Sequence, residues 1–198
     1  MDVRRAVIDA ALEVIATEGP DAVSMRDIAR RAGVSHQAPY HHFGDRAGIF
    51  AAISEEGFRH FTEEFRSVLS HSHDLRRDLM RTYVGFALSH KGHFKVMFRS
   101  DICGVSTHEP TKDAADSAFL ALLDFARRVE PEAPPGGNPL TLPVLLWSQA
   151  HGLATLLVDG PLAAKLPPEF SVEALVDAVA VRAASLYGAS GFRASSES

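Results

Sequence analysis

The stretch from Ser24 to Phe43, SMRDIARRAGVSHQAPYHHF, gathers side chains suited to hydrogen bonding with double-stranded DNA. Gln37 can pair bidentately with adenine, Ala38 can meet a thymine methyl group, and His36 offers ring nitrogens to a base edge. Arg26 can reach a guanine or a phosphate. Ser24, Tyr40, His42 and Arg46 can bind phosphate oxygens, and a helix starting after Asp45 adds its N-terminal dipole for the same anions. Ser35 and His41 lie in the same run, His41 being equally well read as a solvated surface residue. Elsewhere no nucleophile or paired acid and base forms a catalytic constellation, so an enzyme is not expected.

These side chains need short helices to hold them. Val3, Val7, Ala10, Ala11, Val14 and Ile15 recur at a 3.6-residue period, which predicts an amphipathic helix over 2–18, stopped by Gly19-Pro20. Ser24 opens a second helix, with Asp27 three residues later completing a capping-box pattern. Gly33 ends it, and Ser35 is read as the N-cap of a third, with His36 and Gln37 in its exposed first turn. Two short helices joined by a tight turn are the layout of a helix-turn-helix, whose second helix lies in the major groove. Further helices are expected from Asp45 to about Ser70, Asp74 to Ser89, Lys91 to Arg99, Thr111 to Val129, Asn138 to Val158 and Ser171 to Tyr187. The fold class is therefore all-α, with about nine helices. The helix-turn-helix domain is placed at 1–46, a larger ligand-binding and dimerisation domain at 47–188, and a disordered tail at 189–198.

Composition narrows the function. Hydrophobic residues are 46% and charged residues 23% of 198, ordinary for a globular protein. The single Cys103 excludes an internal disulfide and suits a reducing cytoplasm. No signal peptide is read at the N-terminus, no membrane span is expected, and the protein is placed in the cytoplasm. The net charge of −5 argues against binding nucleic acid by bulk electrostatics. Residues 1–50 hold six arginines against seven acids, so DNA binding has to come from placed groups. His71, His73, His90 and His93 match no strong metal-ligand spacing, and neither a metal nor a cofactor is expected.

The run Ser24–Phe50 resembles the DNA-binding domain of the TetR (tetracycline repressor) family. The matching residues are Ile28-Ala29, Ala32-Gly33-Val34-Ser35, Tyr40-x-His42-Phe43 and a basic residue at Arg46. The resemblance implies phosphate contacts at Tyr40, His42 and Arg46 and a base-reading segment from His36 to Ala38. Further on, Trp147, His151 and Gly152, with HKGHFKVMF before them, are similar to the family's WHG-type C-terminal domain. That similarity implies a homodimeric regulator with a pocket inside the body and an interface built from its last two helices. Those helices are apolar on more than one stripe, which calls for a core and a partner. Two recognition helices would then lie about 34–36 Å apart or somewhat more on a near-palindromic operator. Candidate pocket residues are Phe86, Phe94, Met97, Phe98, Phe119, Leu123, Trp147 and His151, and the expected effector is a largely apolar small molecule. The expected function is a ligand-responsive repressor. The alternative is a helical small-molecule-binding protein or enzyme with a vestigial helix-turn-helix.

Overall fold

The computed structural model describes residues 2–131, 137–167 and 169–188, without the side chains of 186–188. Among these residues nine α-helices and no strand occur. They are α1 (Val3–Glu18), α2 (Met25–Arg31), α3 (Ala38–Phe43), α4 (Arg46–His71), α5 (Leu75–Ser89), α6 (Lys91–Met97), α7 (Glu109–Val129), α8 (Thr141–Val158) and α9 (Val172–Gly188). The chain is all-α, as its periodicity implies. The tail assigned to 189–198 lies outside the described residues.

Local chemistry explains most boundaries. The Asp2 carboxylate accepts from Arg5 N and caps α1, and Gly19, at φ +90°, takes the chain out of it. Asp45 and Asp74 cap α4 and α5 in the same way. Three expectations need correction. The Ser24–Asp27 capping box does not form: the Ser24 side chain makes no cap bond, and the Asp27 carboxylate pairs with Arg30 and Arg31 one turn on instead of reaching back to Ser24 N. Ser35 does not cap α3, which begins at Ala38 with Gln37 before it. His36 and Gln37 therefore occupy the turn leading into the helix, closed by Ala38 N donating to Ser35 O at 3.0 Å. Finally, α7 starts at Glu109, because Pro110 sits in its first turn, where a missing N–H costs nothing.

Two apolar cores result. The N-terminal core joins α1 and α2 (Val7, Ile8, Val14, Ile15, Ile28) to Ile49, Phe50 and Ile53 of α4 and to Val96 of α6. The packing unit thus runs past residue 46, since the first turns of α4 fill the floor under α1–α3. The body core packs α4, α5, α7, α8 and α9 around Phe61, Phe65, Phe86 and Phe125. The 26 residues of α4 span roughly 39 Å at 1.5 Å per residue and serve both cores. Among the described residues α8 alone is long and apolar enough to cross a membrane by length and composition. It instead buries Pro143, Leu146, Ala150, Ala154 and Leu157 in the body.

Candidate nucleic-acid interface and effector cavity

The helix-turn-helix is held rigidly from behind. Ile28 and Ala29 of α2 are fully buried, and Pro39 plugs the underside of α3. Arg31 ties α2 to α1 by donating to Glu18 at 2.8 Å and to Asp27 at 2.6 Å, and the two arginines beside Asp27 hold its carboxyl below the usual range. At the α3–α4 corner, Gly44 turns the chain at φ +77°. Gly48 meets the corner from the other side, where a Cβ would fall 1.9 Å from Phe43 O, so only glycine fits.

On the outer face, Ser24, Arg26, Ser35, His36, Gln37, Tyr40, His41 and His42 are all exposed, with Ala38 half-buried. Tyr40 is 49% exposed, a large aromatic surface left uncovered. Arg26 makes no hydrogen bond or ion pair with any described residue. Arg46 differs from the expectation of a free phosphate ligand. It donates to Pro20 O at 2.9 Å, lies 3.6 Å from Asp21 and covers the Phe50 ring at 5.0 Å. Sequence reasoning missed Arg4, whose guanidinium sits over Phe43 of α3 at 5.4 Å. The Arg4-Arg5 pair at the start of α1 was the available signal, but only the packing of α1 against α3 brings it to this face. Arg5, Arg30, Arg31 and Arg46 face acids, whereas Arg4 and Arg26 do not, so an almost charge-balanced unit leaves two cations unmatched, one of them, Arg4, against α3.

The body holds an apolar cavity of about 270 Å³, partly open to solvent. Four of the expected pocket residues, Met97, Phe98, Phe119 and Trp147, line it together with Phe58, Phe61, Phe65 and Tyr83. The other four do not. Phe86 is 2% exposed and belongs to the core behind the wall. Leu123 faces a separate groove against residues 137–145, because its place on α7 turns it away from α4. Phe94 and His151 face a polar cleft with Lys95, Arg99, Asp159 and Gly19-Pro20, on the far side of Phe98. The expected α8 pair still acts on the cavity through Tyr83. The Tyr83 hydroxyl accepts from Trp147 Nε1 at 3.1 Å and lies 2.9 Å from His151 Nδ1. Burial pushes the Tyr83 phenol upward and the His151 imidazole downward, so both stay neutral near pH 7.

Between cavity and N-terminal unit lies α6. Its Met97 closes the cavity, while Gly92 packs on α1 so closely that a Cβ would stand 2.8 Å from Leu12 O. Lys95 Nζ donates to Ala16 O at 3.0 Å near the end of α1, and Val96 enters the N-terminal core. Along the same joint, His93 Nε2 lies 3.0 Å from Glu56, which also takes Arg5 of α1 at 2.7 Å.

A family model described as "Bacterial regulatory proteins, tetR family" matches residues 7–53, and one described as "Tetracyclin repressor-like, C-terminal domain" matches 77–179, over half of the chain. The chain belongs to the TetR family. Trp147, His151 and Gly152 fall inside the second match. TetR relatives include the HTH-type transcriptional regulator BetI of Rhizobium meliloti, 47% identical over 49 residues, and BetI of Agrobacterium fabrum, 37% identical over 81. Those stretches cover 25% and 41% of this chain and 24% and 32% of the two relatives. A protein of unknown function from Rhodococcus sp. RHA1 has the same fold, with a TM-score of 0.72, 26% identity and 94% of both chains covered. FadR from Bacillus subtilis, solved in complex with stearoyl-CoA, shares the fold at 16% identity and a TM-score of 0.68, over 89% of this chain and 95% of that one.

Proposed function

We propose that this chain is a one-component transcriptional repressor, cytoplasmic and acting by binding and not by catalysis, that releases its operator when a small molecule fills the body cavity. The observation that carries this reading is α6, whose Met97 walls the cavity while its Gly92, Lys95 and Val96 are fixed to α1 and the N-terminal core. A ligand that displaces Met97 or Phe98 pushes on the unit that holds α3. A coupling of about 1–3 kcal/mol weakens DNA binding roughly 5- to 150-fold.

In this reading the work is divided near residue 46, with DNA reading before it and effector binding and dimerisation after it. His36, Gln37 and Ala38 address base edges, with Arg26 beside them. Ser24, Ser35, Tyr40, His41, His42 and Arg4 engage phosphates, and Arg46 joins them on exchanging its Asp21 and Pro20 partners for DNA. The homodimer forms through α8 and α9. On α8 the exposed residues Val144, Leu145, Ser148, Gly152 and Leu156 make a stripe opposite its buried face, and Gly152 has open space where a second helix can approach. On α9, Val181 is also left 51% exposed. Two copies related by a two-fold axis place two α3 helices on one near-palindromic site.

The test is fluorescence anisotropy with the DNA upstream of the protein's own coding sequence, over a range of salt. Salt-sensitive binding that discriminates this DNA from shuffled DNA is expected, together with a dimer in sedimentation. Equal affinity for both DNAs, or none, refutes the proposal.

A further inference from the structure

Resting on the reading of the body cavity as the effector site, we infer that its ligand is an uncharged, compact, two-ring aromatic molecule carrying at most one hydrogen-bonding group. Size sets the first limit. A cavity of about 270 Å³ is close to twice the roughly 150 Å³ that holds a single benzene, and below the usual range for drug-sized ligands.

Charge sets the second. No Asp, Glu, Lys, Arg or His is among the described residues lining the cavity. An ion entering it would give up its hydration with nothing to pair with, which is far costlier than burying a neutral ring. The cations of the neighbouring polar cleft, across Phe98, are already engaged, Lys95 with Ala16 O and Arg99 with Asp101. Phe98 lines both spaces and separates them.

Shape sets the third. Phe58 and Phe98 meet edge to face at 5.7 Å and 84°, and Phe61 and Tyr83 do so at 5.1 Å and 79°. The walls therefore offer both ring faces and ring edges, and a flat aromatic guest extends this packing better than a flexible chain. The Tyr83 hydroxyl is occupied by Trp147 and His151. The polar groups left for a ligand are the Ser100 hydroxyl and the Cys103 thiol, both on the segment after α6, so one polar substituent is matched and several are not.

Calorimetric titration of the full chain with four probes tests this. Three share one skeleton: 2-naphthol (neutral), 2-naphthoate (anionic) and N-methylquinolinium (cationic). Decanoate stands for a tail in the cavity with its carboxylate in the cleft. Each probe is then added at saturation to the DNA complex. The expected result is that 2-naphthol binds at least about tenfold tighter than the charged probes, given the cost of burying an ion. Filling the cavity with Ala118→Phe abolishes this binding, and Phe119→Trp, at the 37% exposed mouth, weakens it without burdening the core. Tighter binding by naphthoate, N-methylquinolinium or decanoate overturns the ligand class, and if that probe releases DNA the effector-site reading survives. Binding of 2-naphthol that leaves DNA affinity unchanged upholds the class and refutes the effector-site reading. A folded protein that binds none of the four overturns the inference.

Discussion

Replacing Gly48 by alanine adds one methyl group and should do disproportionate harm. The new Cβ falls 1.9 Å from Phe43 O and 3.0 Å from Phe43 C. Both atoms are backbone, so no side chain can rotate away, and α3 has to move by about an ångström relative to α4. Overpacking of this kind costs about 1–3 kcal/mol or more. At roughly 2–4 °C per kcal/mol for a chain of this length, melting should fall by about 2–12 °C. DNA affinity should fall further than stability, because base-edge hydrogen bonds do not survive an ångström of misplacement. The control is Gly85→Ala, in α5, where nothing lies within 4 Å of the added methyl. There the same change should raise stability by about 1 kcal/mol through helix propensity and leave DNA binding alone. Circular dichroism melts and anisotropy on both variants make the comparison. Gly48→Ala that melts and binds like the parent would refute the packing assigned to the α3–α4 corner.

Three other perturbations have defined outcomes. Arg26→Ala should weaken DNA binding and, if Arg26 meets a phosphate, flatten the log K against log salt slope of the dimer by about 1.8, roughly 0.9 for each protomer; an unchanged slope with altered base preference would place Arg26 on a base instead. Tyr83→Phe strands Trp147 Nε1 and removes the partner of His151, so urea denaturation should report a loss of about 1–3 kcal/mol. Stability should also fall on acidification. Burial lowers the His93 pKa, with Glu56 opposing it, and His151 is lowered by burial too. The unfolded chain therefore takes up protons that the folded chain refuses, and stability present above about pH 6.5 is lost as pH drops toward the depressed folded values. Urea midpoints from neutral to mildly acid pH should show this, and His93→Asn should reduce the slope.

What was legible in the sequence was what local chemistry decides. Periodicity and caps at Asp45, Asp74 and Ser171 placed the helices within a few residues, and Ser24, Arg26, Ser35, His36, Gln37, Tyr40, His41 and His42 are exposed. The errors came where a side chain had a competing partner. Asp27 fits a capping box by spacing, but two arginines one turn away outbid Ser24 N. Arg46 has the right type for phosphate, and its existing partners, Asp21 and the Pro20 carbonyl, come from a distant turn that its own helix pattern does not reveal. The body was harder, because a cavity and a core use the same residues. Phe86 and Phe98 are indistinguishable by type and spacing, and only the packing of α6 across α4, α5 and α8 sends one into the core and the other into the wall. Arg4 and Gly48 owe their positions to contacts between helices, which no single helix pattern encodes.

Val96 sits in the N-terminal core although more than forty residues separate it from the rest of that core. A recombination event joining these first helices to a foreign body would leave a hole where Val96 belongs and an α1 end without its Lys95 partner. If His36 and Gln37 read bases as proposed, exchange of DNA specificity between related chains is easier by replacing such surface positions than by swapping whole modules. The α6 seam between the two cores therefore also ties the histories of the two halves together.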